Sequence, residues 1–509
     1  MFTLAFILCA HADEWDLIRV DQADFPGAVA HSAFGSTLLA PPTDGTLWRI
    51  ESVPELDQST QEVPLHQVWD AELSEAIGLE SWHEAGHLGQ GVRVAVFDLQ
   101  WFGAETRTAE LGTPTSHDCW ADSLCEQPMD TLRPRFDFER GSHGVACSEL
   151  IHDIAPEAEL HLVRVNGQTT FENAVDWAIR EEIDLISMSM TFFNESFYDG
   201  TGAISEAIER LEAAEILLVT SAGNNGERHF EDQFRDHNQN GYHEFPSGSE
   251  FLPIAAQGND GRVASVIWNE FDTCGASDFS VELVDSQGNT VRRADAFQEA
   301  ENKKCMPVER IRAPLELEGD WAYLKIRRNS GTHPVDLDIM SFSGPIWGAL
   351  PSNSMADPAP HPLAFTVGAV PVDGYMHNEA EFFSSQGPGR GGAFKPNLAA
   401  PDGVSTRTYG AKRFYGTSAS APIATGALAV RMSQDPNISP RQASLDVQDW
   451  AWGRGKPWTQ PDPALGAGRL RLPEVNFDQA KGCTAYPLRA TLLFLPLFVF
   501  QRKRRRDPS

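Results

Sequence analysis

With 72 acidic residues against 40 lysines and arginines, this 509-residue chain carries a formal net charge of −32. A field of that sign repels nucleic acid and anionic lipid and keeps an exported protein soluble, so no nucleic-acid partner is expected. The content, 41% hydrophobic and 22% charged, is that of a globular protein, and the length holds one large core plus a smaller unit, or two to three domains.

Residues 1–12 form a short apolar run that ends in an A-x-A pattern at Ala10 and Ala12. This reads as a signal peptide cleaved after Ala12, although a basic n-region is missing. Residues 13–65 mix short apolar runs with proline and glycine and show no period, so an N-terminal extension and a propeptide both stay open. Trp69 to Glu84 has a helical pattern built on Leu73, Ile77 and Leu79, closed by a turn with Gly86, Gly89 and Gly91. Val92 to Asp98 is an apolar, β-branched run, the mark of a buried strand in a parallel sheet. Asp98 stands at its carboxyl end, where open α/β sheets collect reactive groups.

A polar connection containing Cys119 and Cys125 leads to Ser142-His143-Gly144, a helix start, and a proline stop follows at Pro156. His143 at that start is a candidate base. Strand patterns follow at Glu159–Val165, Ile183–Met190 and Ile216–Thr220, with helical patterns at Phe171–Arg180 and Ile204–Ala214 between them. This alternation predicts an α/β fold with a doubly wound parallel sheet. The last of these strands runs into Ser221-Ala222-Gly223-Asn224-Asn225.

Residues 236–245 place Asp236, Asn238 and Asn240 at alternate positions before Gly241. The spacing resembles the first half of a Ca²⁺ loop, and an Asn-Gly hairpin turn explains it equally well. Short strand patterns at Val263–Trp268, Phe279–Val284, Trp321–Ile326 and Val335–Ile339 predict a small β-sandwich inserted at residues 250–345. The main sheet resumes at Phe365–Val370.

Small residues then crowd one hydroxyl in Tyr415-Gly416-Thr417-Ser418-Ala419-Ser420-Ala421-Pro422, just ahead of an apolar helical run. A serine on the first turn of a buried helix sits among unpaired N–H groups at the positive end of the dipole, where developing negative charge is favoured. Pro422 is tolerated early in a helix because its missing N–H would be unpaired anyway. A further helix is expected from Ser439 to Trp452.

Taken together, VAVFD, SHGVA with IAPEAEL, SAGNN and GTSASAP resemble the motifs of subtilisin-type serine peptidases, the subtilase family S8. The order of acid, base and serine is the one the family uses. The resemblance covers about Trp69 to Leu470 and implies a subtilisin-like peptidase domain at 66–475. It implies Asp98 as the orienting acid, His143 as the base, Ser418 as the nucleophile and Asn224 as the oxyanion donor. It also makes Ser189 and Met190 part of an edge strand that binds substrate backbone, with Gly223 beside it. Thr191 stands where the family often has a pocket-lining glycine. A protein or peptide substrate, no cofactor for the chemistry and a monomer are expected, with Ca²⁺ at most structural. The alternative is a catalytically silent subtilase fold used as a surface binding module.

At the far end, Gly482-Cys483 precedes an uncharged run from Ala490 to Phe500 and a basic cluster from Arg502 to Arg506. Residues 483–509 resemble the C-terminal sorting tails of some Gram-negative surface proteins, which implies anchoring at the envelope. In an exported protein, Cys119 with Cys125 and Cys274 with Cys305 are candidate disulfides, and Cys147 is expected to be buried and free.

Overall fold

Apolar runs too rich in β-branched residues for a surface helix become seven strands: β1 (Arg93–Asp98), β2 (Thr115–Asp118), β3 (Glu159–Arg164), β4 (Leu185–Met188), β5 (Leu217–Ser221), β6 (Phe365–Pro371) and β7 (Leu398–Asp402). They form one sheet in the order β7-β6-β5-β4-β1-β3-β2. Every neighbouring pair is parallel. The computed structural model describes residues 71–475, apart from 133–139, 256–261, 273–275, 296–305, 314–320 and 454–461, together with five strands between residues 4 and 51.

Helices cover both faces of the sheet, as parallel strands buried on two sides require. On one face, α2 (Gln168–Arg180) and α3 (Gly202–Ala213) set Phe171, Trp177, Ile204 and Leu211 against Ala95, Phe97 and Ile186 of the strands. The other face carries α1 (His143–Ile154) and α4 (Thr417–Gln434), which pack on each other and on the central strands. Helix α5 (Pro440–Trp450) lies beside α4, its N-cap Ser439 accepting from Gln442 N. The sheet order reverses direction between β1 and β4, and Asp98 ends β1 at that point.

Two local expectations need correction. The stretch from Trp69 to Glu84 is split, in the part described, into helices Ala71–Ile77 and Glu80–Glu84. Leu472 N takes the Ile77 carbonyl at 2.7 Å, so a long-range bond ends the first piece. The run Ile183–Met190 is likewise not one strand. β4 stops at Met188, and the chain resumes as a separate strand, Met190–Phe193, outside the parallel sheet.

Between β5 and β6 the chain builds two four-stranded antiparallel sheets. One holds His229–Gln233, Asp336–Ser341, Arg262–Trp268 and Val308–Ala313, and the other Leu252–Ala255, Trp321–Ser330, Asp278–Val284 and Thr290–Ala294. Trp268, Ile311 and Ile339 from the first share a core with Phe279, Leu283 and Leu324 from the second. Its first strand, His229–Gln233, lies ahead of residue 250.

Near the N-terminus, Leu4–His11 pairs with Glu14–Asp21, and Leu47–Glu51 pairs antiparallel with Met190–Phe193. Cys119 and Cys125 are joined by a disulfide, and Cys147 is buried with a free thiol. Cys274, Cys305 and residues 483–509 lie outside the described residues. Among the described residues no helix is long and apolar enough to cross a membrane.

Candidate active site

Asp98, at the end of β1, divides its carboxylate between two tasks. Oδ1 accepts from the amides of Leu99 at 2.7 Å and Gln100 at 2.9 Å, which fixes the side chain. Oδ2 is then left for His143 Nδ1 at 2.6 Å. The residue after the histidine has to be small for this approach, because a Cβ on Gly144 would fall 2.7 Å from Asp98 Cβ. His143 opens α1 and is fully buried, with its ring edge-on to Phe414 at 5.8 Å. Burial disfavours the imidazolium, but the Asp98 carboxylate, with Cys147 after it, outweighs that cost and holds His143 well above the ordinary histidine range. The neighbouring Cys147 thiol is pushed up by its own burial.

The serine is held through its flanks. Gly416 precedes α4 with φ at 101°, and a Cβ there would meet Asn224 Nδ2 at 2.9 Å. Its amide donates to Asp402 Oδ2 at 2.9 Å. Thr417 donates twice to Asn224 Oδ1, from its amide and its hydroxyl, each at 3.1 Å, while its hydroxyl accepts from Gly223 N at 3.1 Å. With the Asn224 oxygen doubly engaged, the amide nitrogen is its donor end. Ser418 is the second residue of α4, where backbone N–H groups lack intrahelical acceptors.

Pro422 is the sixth residue of α4, not one of the first four. Its missing N–H therefore removes the intrahelical partner of the Ser418 carbonyl, four residues back. Ser189 Oγ donates to that carbonyl at 3.0 Å, and Cys147 Sγ at 3.7 Å. Cys147 Sγ also lies 3.9 Å from His143 Nδ1, so the histidine helix and the serine helix meet at one thiol. Ser189 is also the residue at which the expected strand 183–190 breaks, between Met188 and Met190. The contacts of Thr417, Asp402 and Cys147 with the site have no counterpart in the sequence pattern, although Cys147 is buried and free as expected. The proline four residues beyond the serine is the legible signal for the carbonyl bond.

Ser418 Oγ and His143 Nε2 are both buried and have no hydrogen-bond partner among the described residues. Met190 is fully buried in the core with Phe192, so only its backbone faces the strand Leu47–Glu51. Gly223, at φ 100°, has its carbonyl bonded by Ser385 N at 2.7 Å.

Asp236, Asn238 and Asn240 form a separate surface turn. Asp236 accepts from the amides of Asn240 at 3.0 Å and Gly241 at 2.9 Å, and the side chains of Asn238 and Asn240 donate to Glu250. These oxygens already close the turn on itself. Among the described residues, the only three His, Cys, Asp or Glu ligand atoms within 4.8 Å of one another are those of Asp98, His143 and Cys147.

The model of the subtilase family, Peptidase_S8, matches residues 139–451. No curated protein matches the chain. Among solved structures, the Clostridium perfringens CspB protease is similar at 15% identity and a TM-score of 0.53, over 79% of this chain and 97% of that one. Fervidolysin from Fervidobacterium pennivorans, a keratinolytic enzyme related to subtilisin, is 14% identical with a TM-score of 0.41, over 78% of this chain and 44% of its own. The epidermin leader peptide processing serine protease of Staphylococcus aureus is 13% identical with a TM-score of 0.41, over 82% and 81%. At 15% identity the likeness to the CspB protease is one of fold.

Proposed function

The chain belongs to the subtilase family of serine peptidases, and on that premise we propose that it cuts proteins or peptides through an acyl-enzyme at Ser418. His143 Nε2 takes the Ser418 proton as Oγ attacks the scissile carbonyl carbon. Asp98 keeps the imidazole in the tautomer that presents Nε2 and supports the imidazolium that forms. The carbonyl oxygen becomes an oxyanion, which Asn224 Nδ2 and the first amides of α4 stabilise. Collapse breaks the C–N bond, and His143 returns its proton to the leaving amine. A water molecule then releases the acid by the same steps in reverse.

The observation that carries this reading is the Asp98–His143 bond at 2.6 Å within a buried site whose Nε2 and Ser418 Oγ have no other hydrogen-bond partner among the described residues. Catalytic hydrogen bonds are often loose before substrate binds. The same lack of a Ser418–His143 bond favours a second reading, a silent subtilase fold that binds without cutting. One experiment separates them: incubate casein with the wild type, Ser418→Ala and Asn224→Ala, and label each with a fluorophosphonate. Cleavage and labelling by the wild type, none by Ser418→Ala, and a drop of about 10²–10³-fold in kcat for Asn224→Ala are expected. Equal cleavage by wild type and Ser418→Ala sinks the proposal, and absence of labelling favours the silent fold.

Two lesser proposals each have one reading. Ca²⁺ at Asp236, Asn238 and Asn240 is proposed as a stabilising ion only, to be read from the thermal midpoint with and without a chelator. Export and envelope anchoring of a monomer are proposed from residues 1–12 and 483–509, and cell fractionation of a chain lacking the tail tests them.

A further inference from the structure

Two pieces of backbone flank Ser418. Ser189, bonded to the Ser418 carbonyl, leads into the strand Met190–Phe193, and Gly223, bonded to Thr417, leads into Asn224 and Asn225. Both are tied from behind by the segment 354–357. Ser354 O accepts from Asn225 Nδ2 at 3.3 Å and from Ser385 Oγ at 3.1 Å, and Met355 packs on Ala222. At the other end, Phe192 N donates to Asp357 O at 2.7 Å. The segment thus bridges the two pieces of backbone from behind, and we take it as the floor between these two walls.

That floor carries an acid. Asp357 is 1% exposed. Ser196 donates to its Oδ2 at 2.6 Å, but Oδ1 is buried with no hydrogen-bond partner among the described residues. Asn194, in the turn that Ser196 belongs to, is also fully buried, and among the described residues both polar atoms of its side chain are unpartnered. Among the described residues no lysine or arginine pairs with Asp357, and the charge that acts on it is the like-charged Asp199. A buried, half-satisfied carboxyl is costly unless something completes it.

We infer that the space between Ser189–Phe193 and Gly223–Asn225 takes the side chain of the residue that owns the scissile carbonyl, and that Asp357 selects a cationic one, arginine ahead of lysine. The inference rests on the peptidase reading above. A carbonyl held between Ser418 and Asn224 brings its own side chain against these walls. A guanidinium offers five donors in a fixed fork, enough for Asp357 Oδ1 and the Asn194 oxygen together. An apolar side chain leaves both oxygens unpaired, the condition under which a site discriminates most strongly. Burial, with Asp199 adding to it, lifts the free Asp357 carboxyl to about 7. A bound cation favours the ionised form, so the proton leaves as the substrate seats.

The test uses the full chain and fluorogenic peptides that differ only in the residue before the cut: arginine, lysine, leucine or phenylalanine. Arginine is expected to exceed leucine by on the order of 10²-fold or more in kcat/KM. Asp357→Asn, which keeps the shape, should remove most of that preference, read as the arginine-to-leucine ratio of kcat/KM, and fluorophosphonate labelling of Ser418 shows that the variant is folded. A wild type that labels yet prefers apolar residues overturns the inference alone, as does an Asp357→Asn variant that still prefers arginine. A wild type that neither labels nor cuts any peptide overturns the peptidase reading and this inference with it.

Discussion

His143 faces opposite pressures from its own surroundings. Burial favours the neutral ring, while Asp98 at 2.6 Å, with Cys147 beside it, favours the cation, and the two together prevail. A general base has to be neutral to accept the serine proton, so under the proposed mechanism the free enzyme should be inactive while His143 is protonated. The acid limb of kcat/KM against pH is therefore expected above the ordinary histidine value of roughly 6.5. Asp98→Asn should bring that limb down and cut kcat by about 10⁴-fold, as the wrong tautomer then presents to the serine. A limb that does not move in this variant would separate it from His143. Asp98, His143 and Asn224 were legible because each follows a strand or opens a helix whose pattern is local. Asp402 was not, since its bond to Gly416 N joins two loops that no periodicity relates.

At the level of elements, the two antiparallel sheets between β5 and β6 are locked to the catalytic sheet by a buried charge cluster. Arg390 Nη2 meets Glu231 Oε2 at 2.7 Å and Asp338 Oδ2 at 2.5 Å, while His229 Nε2 meets the same Asp338 oxygen at 2.8 Å. The guanidinium also lies 4.5 Å from the centre of the Phe197 ring, in the turn after Met190–Phe193. Removing the cation leaves two acids facing a low-dielectric interior, one of them fully buried. Arg390→Met is expected to destabilise by about 3–5 kcal/mol in urea unfolding, well beyond an exposed pair. A loss under about 1 kcal/mol would show the cluster to be no more than a surface pair. The strand patterns of these sheets were readable from alternation, but their attachment through Arg390 was not.

For the molecule as a whole, an excess of acid extends inward. Burial lifts Glu149 to about 7 against the two bonds Thr408 gives it. Asp153, one turn on in α1, is lifted to about 7 by burial, with Glu149 and Glu110 adding to it. Asp357 behaves alike, and burial carries Asp402 well above the carboxylate range. Each folded-state value is raised above its unfolded one. The stability these acids contribute is therefore fully present below roughly pH 4 and is lost as pH rises through their folded values, about 7 for Glu149, Asp153 and Asp357. His161, His243 and His361, lowered to about 4 chiefly by burial, act in the opposite sense below roughly pH 6.5. The urea midpoint of Asp153→Asn is therefore expected to gain on that of the wild type between pH 5 and pH 8, because one of two like charges four residues apart is removed. A difference between the two midpoints that stays flat over this range would contradict the assignment.

From the sequence by itself came the alternation of strand and helix, the order of acid, base, amide and serine along the chain, the family and the sign of the charge. Those features depend on neighbours within a turn or a strand, where side-chain period and backbone preference act directly. Only the tertiary structure decided that Ser189, 229 residues away, would claim the carbonyl Pro422 leaves open. It also decided that Asp357 would sit half-satisfied between two walls, and that Arg390 would hold the added sheets. Such contacts depend on which surfaces meet when the sheet closes, and residues hundreds of positions apart carry no local mark of the meeting.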